Sequence, residues 1–566
     1  MRRAVIAKSA AAPTAPRPLW PPRRVVVSLL SLATATVLVR AGLLEPIVGG
    51  IVDQAVRNII SLILCFSALM SLLVWFVRES GHAARVKKAV VGGLLAAVAL
   101  GLATLRIERV SGDLVPEFAW RWSASRDRLL DAPQAVAKAT EDASPWLPTA
   151  DDFPRFLGPT GSCGLDAPAI DPEWESRPPR QIWKRPIGAG WSGFVTCGDH
   201  AVTLEQRGDQ EVVSCCSLTT GEPEWSVAVP ARHETVLGGV GPRSTPTIRD
   251  GVVYSAGATG WLHAIDGATG KVLWKKDVIA DLGIDPAAHV AAVAWGRAGS
   301  PLVLENVVVV PGGGPLREQR DASAPPVAIS LAAYDRATGE RRWTAGADLI
   351  SYVTPHVATL GGREVIVSVN EARVVGYDPA SRAEVWQFDW PGHSNSDASC
   401  SQAVVVDGSR VFVSKGYGIG AALFEVASTA AEPWTLREVW HESGNLKTKF
   451  TNVVIHDGHA YGLSDGILEC VRLADGKRQW KSGRYGQGQV LRVGGLFLVQ
   501  AESGEVVLVE ASPAKHTVRG RLDAIRGQTW NNLCLAGNRL LVRNAEEAAC
   551  YEVPVVPAAV AMDAAP

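Results

Sequence analysis

Trp261-Leu-His-Ala-Ile-Asp266-Gly-Ala-Thr-Gly270-Lys-Val-Leu-Trp274 is the stretch from which the fold is read. Its first half alternates as a half-buried strand does. Asp266, Thr269 and Gly270 then supply a turn, because Asp and Thr side chains bond the local backbone and Gly takes positive φ freely. A second strand closes on Trp274. The unit recurs as Leu331-Ala-Ala-Tyr-Asp-Arg-Ala-Thr-Gly339-Glu-Arg-Arg-Trp343, as Val375-Gly-Tyr-Asp-Pro-Ala-Ser-Arg-Ala-Glu-Val-Trp386 and as Leu468-Glu-Cys-Val-Arg-Leu-Ala-Asp-Gly476-Lys-Arg-Gln-Trp480. Upstream lies a hairpin marked by Asp-Gly, as in Thr247-Ile-Arg-Asp-Gly-Val-Val-Tyr254 and Val404-Val-Val-Asp-Gly-Ser-Arg-Val-Phe-Val413. Each repeat therefore predicts four strands.

Closing tryptophans stand at 183, 225, 274, 343, 386, 440 and 480, with an eighth equivalent near Val518 where the Trp is lost. Their spacings of 40 to 54, with one of 69 across a Gly/Pro-rich insertion at 311–326, fit the blades of a propeller. Trp183 precedes the first full unit, and the last unit, 529–553, lacks a closing strand. The two chain ends are thus expected to complete one blade together, which removes exposed strand edges. The reading is all-β: an eight-bladed β-propeller of four-stranded blades, preceded by an α-helical transmembrane region.

The motif Asp-x-x-Thr-Gly-Lys-x-x-Trp at 266–274 recurs across residues 152–555 and resembles the pyrroloquinoline quinone (PQQ) propeller repeat. That family includes quinoprotein alcohol dehydrogenases and the outer-membrane assembly factor BamB. The resemblance implies eight blades and leaves function open, since one fold hosts both enzymes and scaffolds. In the enzymes it implies a calcium or lanthanide ion, a catalytic Asp and often a disulfide of adjacent cysteines. Cys215-Cys216 is the matching pair, but alignment on Gly221 and Gly270 places both cysteines mid-strand on opposite faces. No carboxylate cluster is assignable to a metal site. No catalytic residue, cofactor or metal ligand is therefore expected, PQQ and calcium belonging only to the alternative of a PQQ-dependent oxidoreductase.

Three apolar runs, 25–44, 59–77 and 89–105, are long enough to cross a hydrocarbon core of about 30 Å at about 1.5 Å per residue. Basic residues concentrate before the first and between the second and third, which predicts a cytoplasmic N-terminus. With three spans the remainder is extracytoplasmic, in an inner-membrane protein of the bacterial envelope. The expected organisation is a basic tail at 1–24, a membrane domain at 25–105, a linker with short helical pieces at 106–178, the propeller at 179–555 and a disordered tail at 556–566. Cys65 follows Leu62-Ile-Leu, which lacks the small residues of a lipoprotein box, so helices replace the lipid anchor of BamB.

Composition narrows the partners. Lys and Arg number 56 against 57 acidic residues, so no whole-chain attraction to nucleic acid exists. Hydrophobic residues at 47% exclude bulk disorder. Nine cysteines are too few for a disulfide scaffold in this length. Gly462-Leu-Ser464-Asp-Gly466 matches a nucleophile elbow, and Gly416-Tyr-Gly418-Ile-Gly420 a nucleotide loop, yet both lead into strands, where neither mechanism works.

In a propeller the starts of the innermost strands converge on one channel mouth. Those starts hold Trp191 and Ser192, Arg243 and Ser244, Trp295 and Arg297, Tyr352, Ser401 and Gln402, Lys447, Lys449 and Asn452, Arg484 and Gln487, and Trp530 and Asn531. Cations and aromatics without a carboxylate predict a mouth for an anionic or sugar-like group, or for other envelope proteins. The leading functional reading is a membrane-anchored binding or assembly scaffold similar to BamB. A carbohydrate or cell-wall sensor is a further alternative.

Overall fold

The turn after Asp266 is built as its residues require. In the computed structural model, which describes residues 17–43, 53–130, 144–317, 327–429 and 432–556, the Asp266 carboxylate accepts from Thr269 N (2.9 Å) and Thr269 Oγ1 (2.6 Å). Gly270 takes φ +72°. The flanking strands Trp261–Asp266 and Val272–Asp277 pair antiparallel with a register shift at Ala264/Ile265. Thr247–Arg249 and Val252–Ala256 complete a four-stranded blade.

Eight blades form around the channel, numbered here 1 to 8 by their innermost strands: Val195–Cys197, Thr247–Arg249, Leu302–Val303, His356–Leu360, Val404–Val406, Val454–His456, Gln489–Val493 and Cys534–Ala536. Blade 8 is closed by Arg180–Pro186, which pairs antiparallel with Glu547–Glu552 and sets Trp183 opposite Cys550. Both the eight-bladed architecture and the shared closing blade are therefore observed.

Apolar cores lie between neighbouring blades; in one, Val202, Cys215 and Trp225 of blade 1 meet Ile248, Val253 and Ile265 of blade 2. The tryptophans fasten these seams. Trp225 Nε1 donates to Gly267 O (2.7 Å), Trp183 to Leu218 O (2.9 Å), Trp274 to Arg336 O (3.0 Å), Trp440 to Leu473 O (2.7 Å) and Trp480 to Ser512 O (3.0 Å). Each acceptor belongs to the outer turn of the next blade. The indole lies flat against the turn glycine: a Cβ on Gly270 would come within 2.8 Å of Trp225. Where the eighth Trp is lost, Trp174 takes its place. It is 2% exposed, packs in the core formed by blades 7 and 8, and would lie 2.4 Å from a Cβ on Gly520 of the outer strand Val518–Leu522.

The helical residues form a separate compact unit. Helices α1 (Arg23–Arg40), α2 (Gln54–Arg78) and α3 (Ala84–Thr104) follow in order, and α1 packs on α2. Among the described residues, only α2 and α3 combine the length and the hydropathy of a membrane span. The 18 residues of α1 include Arg23, Arg24 and Arg40. Three spans were expected; two helices qualify by length and composition, because the apolar part of α1 is bracketed by these charges. Residue 44, the end of the expected first run, lies outside the described residues.

The stretch read as a linker is more ordered than expected. Leu105–Val110 and Pro116–Trp120 form a hairpin, a short 3-10 turn covers Arg126–Arg128, and Gly164–Leu165 adds a parallel strand to the inner edge of blade 7. Residues 131–143 of that expected linker, the basic tail before residue 17, the insertion at 318–326 and the tail from residue 557 lie outside the described residues.

Candidate functional site

Loops entering the innermost strands carry their side chains to one mouth of the channel. There Trp191 meets Trp530 at a ring distance of 4.7 Å, Phe450 meets Trp530 at 4.7 Å, and Trp295 stacks on Tyr352 at 5.1 Å with Phe450 edge-on at 6.1 Å. These rings enclose a cavity of about 120 Å³, whose wall also includes Leu237, Arg243 and Asn452.

Phe156 forms part of the wall from a segment that threads across the channel. Phe153 N donates to Thr196 Oγ1 (2.9 Å), Ile248 N to Pro154 O (2.7 Å) and Arg492 N to Cys163 O (2.9 Å), tying this segment to the inner strands of blades 1, 2 and 7. It makes the floor. Above blades 6 to 8, the tip of the hairpin after α3 covers part of the mouth. Gly112 N donates to Glu502 Oε1 (2.8 Å), Gln528 Nε2 to Val110 O (2.9 Å), and Gln487 Nε2 to Asp113 Oδ1 (3.4 Å).

Arg243, Arg297, Lys449 and Arg484, all expected to face a ligand, are held by the protein's own acceptors. Arg243 donates to the carbonyls of Gly238 (2.6 Å), Gly239 (3.1 Å) and Gly241, and burial lowers its pKa to about 10. Arg297, also lowered to about 10 by burial, donates to Gly312 O (2.6 Å) and Pro311 O. Lys449 is 3.0 Å from Asp53, and Arg484 donates to Asp465 O (3.4 Å). Lys447 is buried, and its backbone N–H donates to Ser464 Oγ (3.0 Å). Ser244 donates to Ala256 O, Ser401 to Thr448 Oγ1 (2.7 Å), and Asn531 to Gly190 O (3.1 Å) and Ser192 O (2.8 Å); Asn452 accepts from Gln402 N (2.9 Å). Thus Trp191, Arg243, Trp295, Tyr352, Asn452 and Trp530 line the cavity, whereas Ser244, Arg297, Lys447, Lys449, Arg484, Gln487 and Asn531 brace the loops around it.

Carboxylates were not expected at the mouth, and here the structure differs. Glu502 receives Gln487 N (2.9 Å), Gly112 N and Trp530 Nε1 (2.9 Å). Glu211 receives Ala258 N (2.8 Å), and burial, opposed by that bond and by Arg243, raises its pKa to about 7. These acids come from strands and turns further out in each blade, so a reading of inner-strand starts passes over them. Alternation in Leu105-Arg-Ile-Glu-Arg-Val110, followed by Gly112, was the available signal for the covering hairpin.

Cys215 and Cys216 lie in the third strand of blade 1, both as free thiols. Cys215 packs in the seam with blade 2 and Cys216 in the seam with blade 8. The two face opposite sides of the sheet, and neither lines the cavity.

Repeat, seams and closure together define a class: the chain is an eight-bladed β-propeller built of PQQ-like repeats. A family model described as outer membrane protein assembly factor BamB matches residues 208–482. The solved quinohemoprotein alcohol dehydrogenase from Comamonas testosteroni is similar over 75% of this chain and 84% of its own, at 12% identity and a TM-score of 0.51. BamB from Moraxella catarrhalis is similar over 66% of this chain and 99% of its own, at 14% identity and a TM-score of 0.45. A europium-containing methanol dehydrogenase is similar over 71% and 98%, at 12% identity and a TM-score of 0.44. At these identities the likeness concerns the fold alone. No significant match exists among curated protein sequences.

Proposed function

We propose that the chain is a membrane-anchored extracytoplasmic scaffold, similar in role to BamB, that binds other envelope proteins and carries out no catalysis of its own. The size and lining of the mouth cavity carry this reading. At about 120 Å³ it is smaller than the roughly 300–1,000 Å³ usual for small-molecule sites. It suits one inserted side chain, and its aromatic walls suit an apolar or aromatic one, as in the central pocket of a protein interface. Engagement of Arg243 by three carbonyls favours that occupant over the anionic group expected from sequence. Beside the cavity, Val236 and Leu237 are 56% and 49% exposed on a small hairpin, an apolar rim for a docked partner.

A photoreactive amino acid at Leu237 tests this. In intact cells it is expected to crosslink to one defined envelope protein, and Trp295→Ala is expected to remove the crosslink while a probe at Lys515 gives none. Equal crosslinking from both positions, or a crosslink indifferent to Trp295→Ala, contradicts the reading.

For topology, the proposal keeps α1 as a third span: its apolar part, residues 25–39, reaches about 22 Å, and the arginines at its ends extend toward the two headgroup layers. A periplasm-active reporter fused after Pro566 is then active, and one placed within residues 78–88 is silent. With α2 and α3 as the only spans, the N-terminus and the propeller share one side, and a reporter at the N-terminus and one after Pro566 would report the same compartment.

A further inference from the structure

Bulges recur where the third and fourth strands of each blade meet, leaving one outer-strand residue unopposed beside the tryptophan or, in blade 7, beside Gly520. In blade 1 the shift falls between Cys215 and Cys216: Cys215 faces Trp225, Cys216 faces Pro223, and Glu224 is the extra residue. The bulge turns Glu224 onto the face that carries Cys215. On the second strand, Val202 pairs with Cys215, so His200, two residues earlier, shares that face as well. Three different ligating side chains thereby meet. His200 Nδ1 lies 2.7 Å and Cys215 Sγ 3.2 Å from Glu224 Oε2, and all three atoms lie within 4.8 Å of one another.

The repeat supplies its own comparison. The same positions in blade 2 hold Val252, Ala264 and Leu273, and in blade 6 they hold His459, Cys470 and Gln479. Among the described residues, His200, Cys215 and Glu224 are the one group of three so placed. Trp146 covers it, stacked on the His200 ring at 4.4 Å and 13°, and is itself buried. The His200 and Glu224 side chains are 33% and 24% exposed, so an ion can enter from solvent.

We propose that His200, Cys215 and Glu224 form a site for a divalent transition-metal ion of the zinc type, outside the channel and independent of the quinone chemistry of related folds. Imidazole, thiolate and carboxylate together suit Zn²⁺, which binds them at about 2.0–2.3 Å in a tetrahedron. Ligand atoms in such a tetrahedron stand roughly 3.3–3.6 Å apart, so the ion replaces the two hydrogen bonds once the Glu224 carboxylate withdraws by roughly half an ångström. Three protein ligands leave the fourth position to water on the exposed side. A thiolate and a carboxylate balance the charge of the ion, and a half-buried site needs that balance.

Titration of the full-length protein in detergent with Co²⁺ tests the site. One equivalent is expected to bind with a sulfur-to-cobalt charge-transfer band that Zn²⁺ abolishes by displacement. Cys215→Ser is expected to remove the band and Cys216→Ser to leave it intact, with far-UV circular dichroism confirming the blades. Should Cys215→Ser fail to fold, Glu224→Gln at the partly exposed edge is expected to weaken Co²⁺ by at least about tenfold. No band in the wild type up to millimolar Co²⁺ overturns the proposal. A band surviving Cys215→Ser, or unchanged affinity in Glu224→Gln, overturns it equally and leaves a hydrogen-bonded triad.

Discussion

Between blades 1 and 2, Trp225 is anchored by its indole bond to Gly267 O and lies on Gly270, while Glu211 reaches across the seam to Ala258 N. Between blades 4 and 5, Trp386 occupies the same register, yet its Nε1 has no partner among the described residues. Between its third and fourth strands, blade 5 replaces the tight Asp-x-x-Thr-Gly turn with a long hairpin, Gly420–Thr429 and Glu432–Glu442. Here Phe388 stacks on Phe424 at 3.8 Å and Trp386 on Phe388 at 6.1 Å. The first seam is held by polar contacts at fixed points and the second by apolar stacking. The register of a propeller can therefore be kept by either means, provided a large ring fills the wedge between sheets.

The sharpest way to break this comparison is to remove the wedge. Trp225→Ala is expected to cost about 3–5 kcal/mol in urea unfolding, the range for emptying a buried aromatic site. Trp174→Ala is expected to cost as much, because Trp174 fills the seam whose own Trp is missing; a cost below about 1 kcal/mol would show that the seam closes without it.

The next largest effect is pH-dependent and belongs to the polar seam. Burial raises the folded pKa of Glu211 from 4.5 to about 7, so the folded protein holds a proton that the unfolded chain releases. Stability is thus highest below pH 4.5 as far as this group is concerned. It declines as pH rises to about 7, by about 3 kcal/mol in all, and is flat above. Glu211→Gln is expected to remove that slope from a series of urea midpoints taken between these pH values.

Replacing only the indole bond separates the two seams more finely. Trp225→Phe leaves a buried carbonyl unpaired and is expected to cost about 1–3 kcal/mol, whereas Trp386→Phe loses no bond and is expected to cost less than about 1.5 kcal/mol. Equal costs would mean the indole bond contributes nothing. Smallest is the turn of blade 4, where Arg382 takes φ +65° at the position that blades 1, 2, 3 and 6 give to glycine. Arg382→Gly is expected to stabilise by about 1 kcal/mol, since a side chain in that region is strained.

Most of the propeller was legible because its signals are local. Asp266, Thr269 and Gly270 build their turn within five residues, and seven tryptophans mark their strands directly. Trp174 was not legible as the eighth, since only the closed ring brings it to Gly520. At the mouth, inner-strand starts named Trp191, Trp295, Tyr352 and Trp530, which the structure brings around one cavity because strand order alone places them there. Glu211 and Glu502 escaped, because the strand that carries an acid does not reveal which neighbouring backbone it caps. Arg243 and Arg297 read as free cations for the same reason: the carbonyls that hold them are set by loop geometry.

The central claim is that the mouth takes a partner's side chain and does no quinone chemistry. Titrating the purified full-length protein with PQQ and Ca²⁺, followed by absorption and by alcohol-dependent dye reduction, tests it most directly. The expected result is no saturable spectral change and no turnover. Saturation at one equivalent, or dye reduction that depends on both PQQ and alcohol, would contradict the claim.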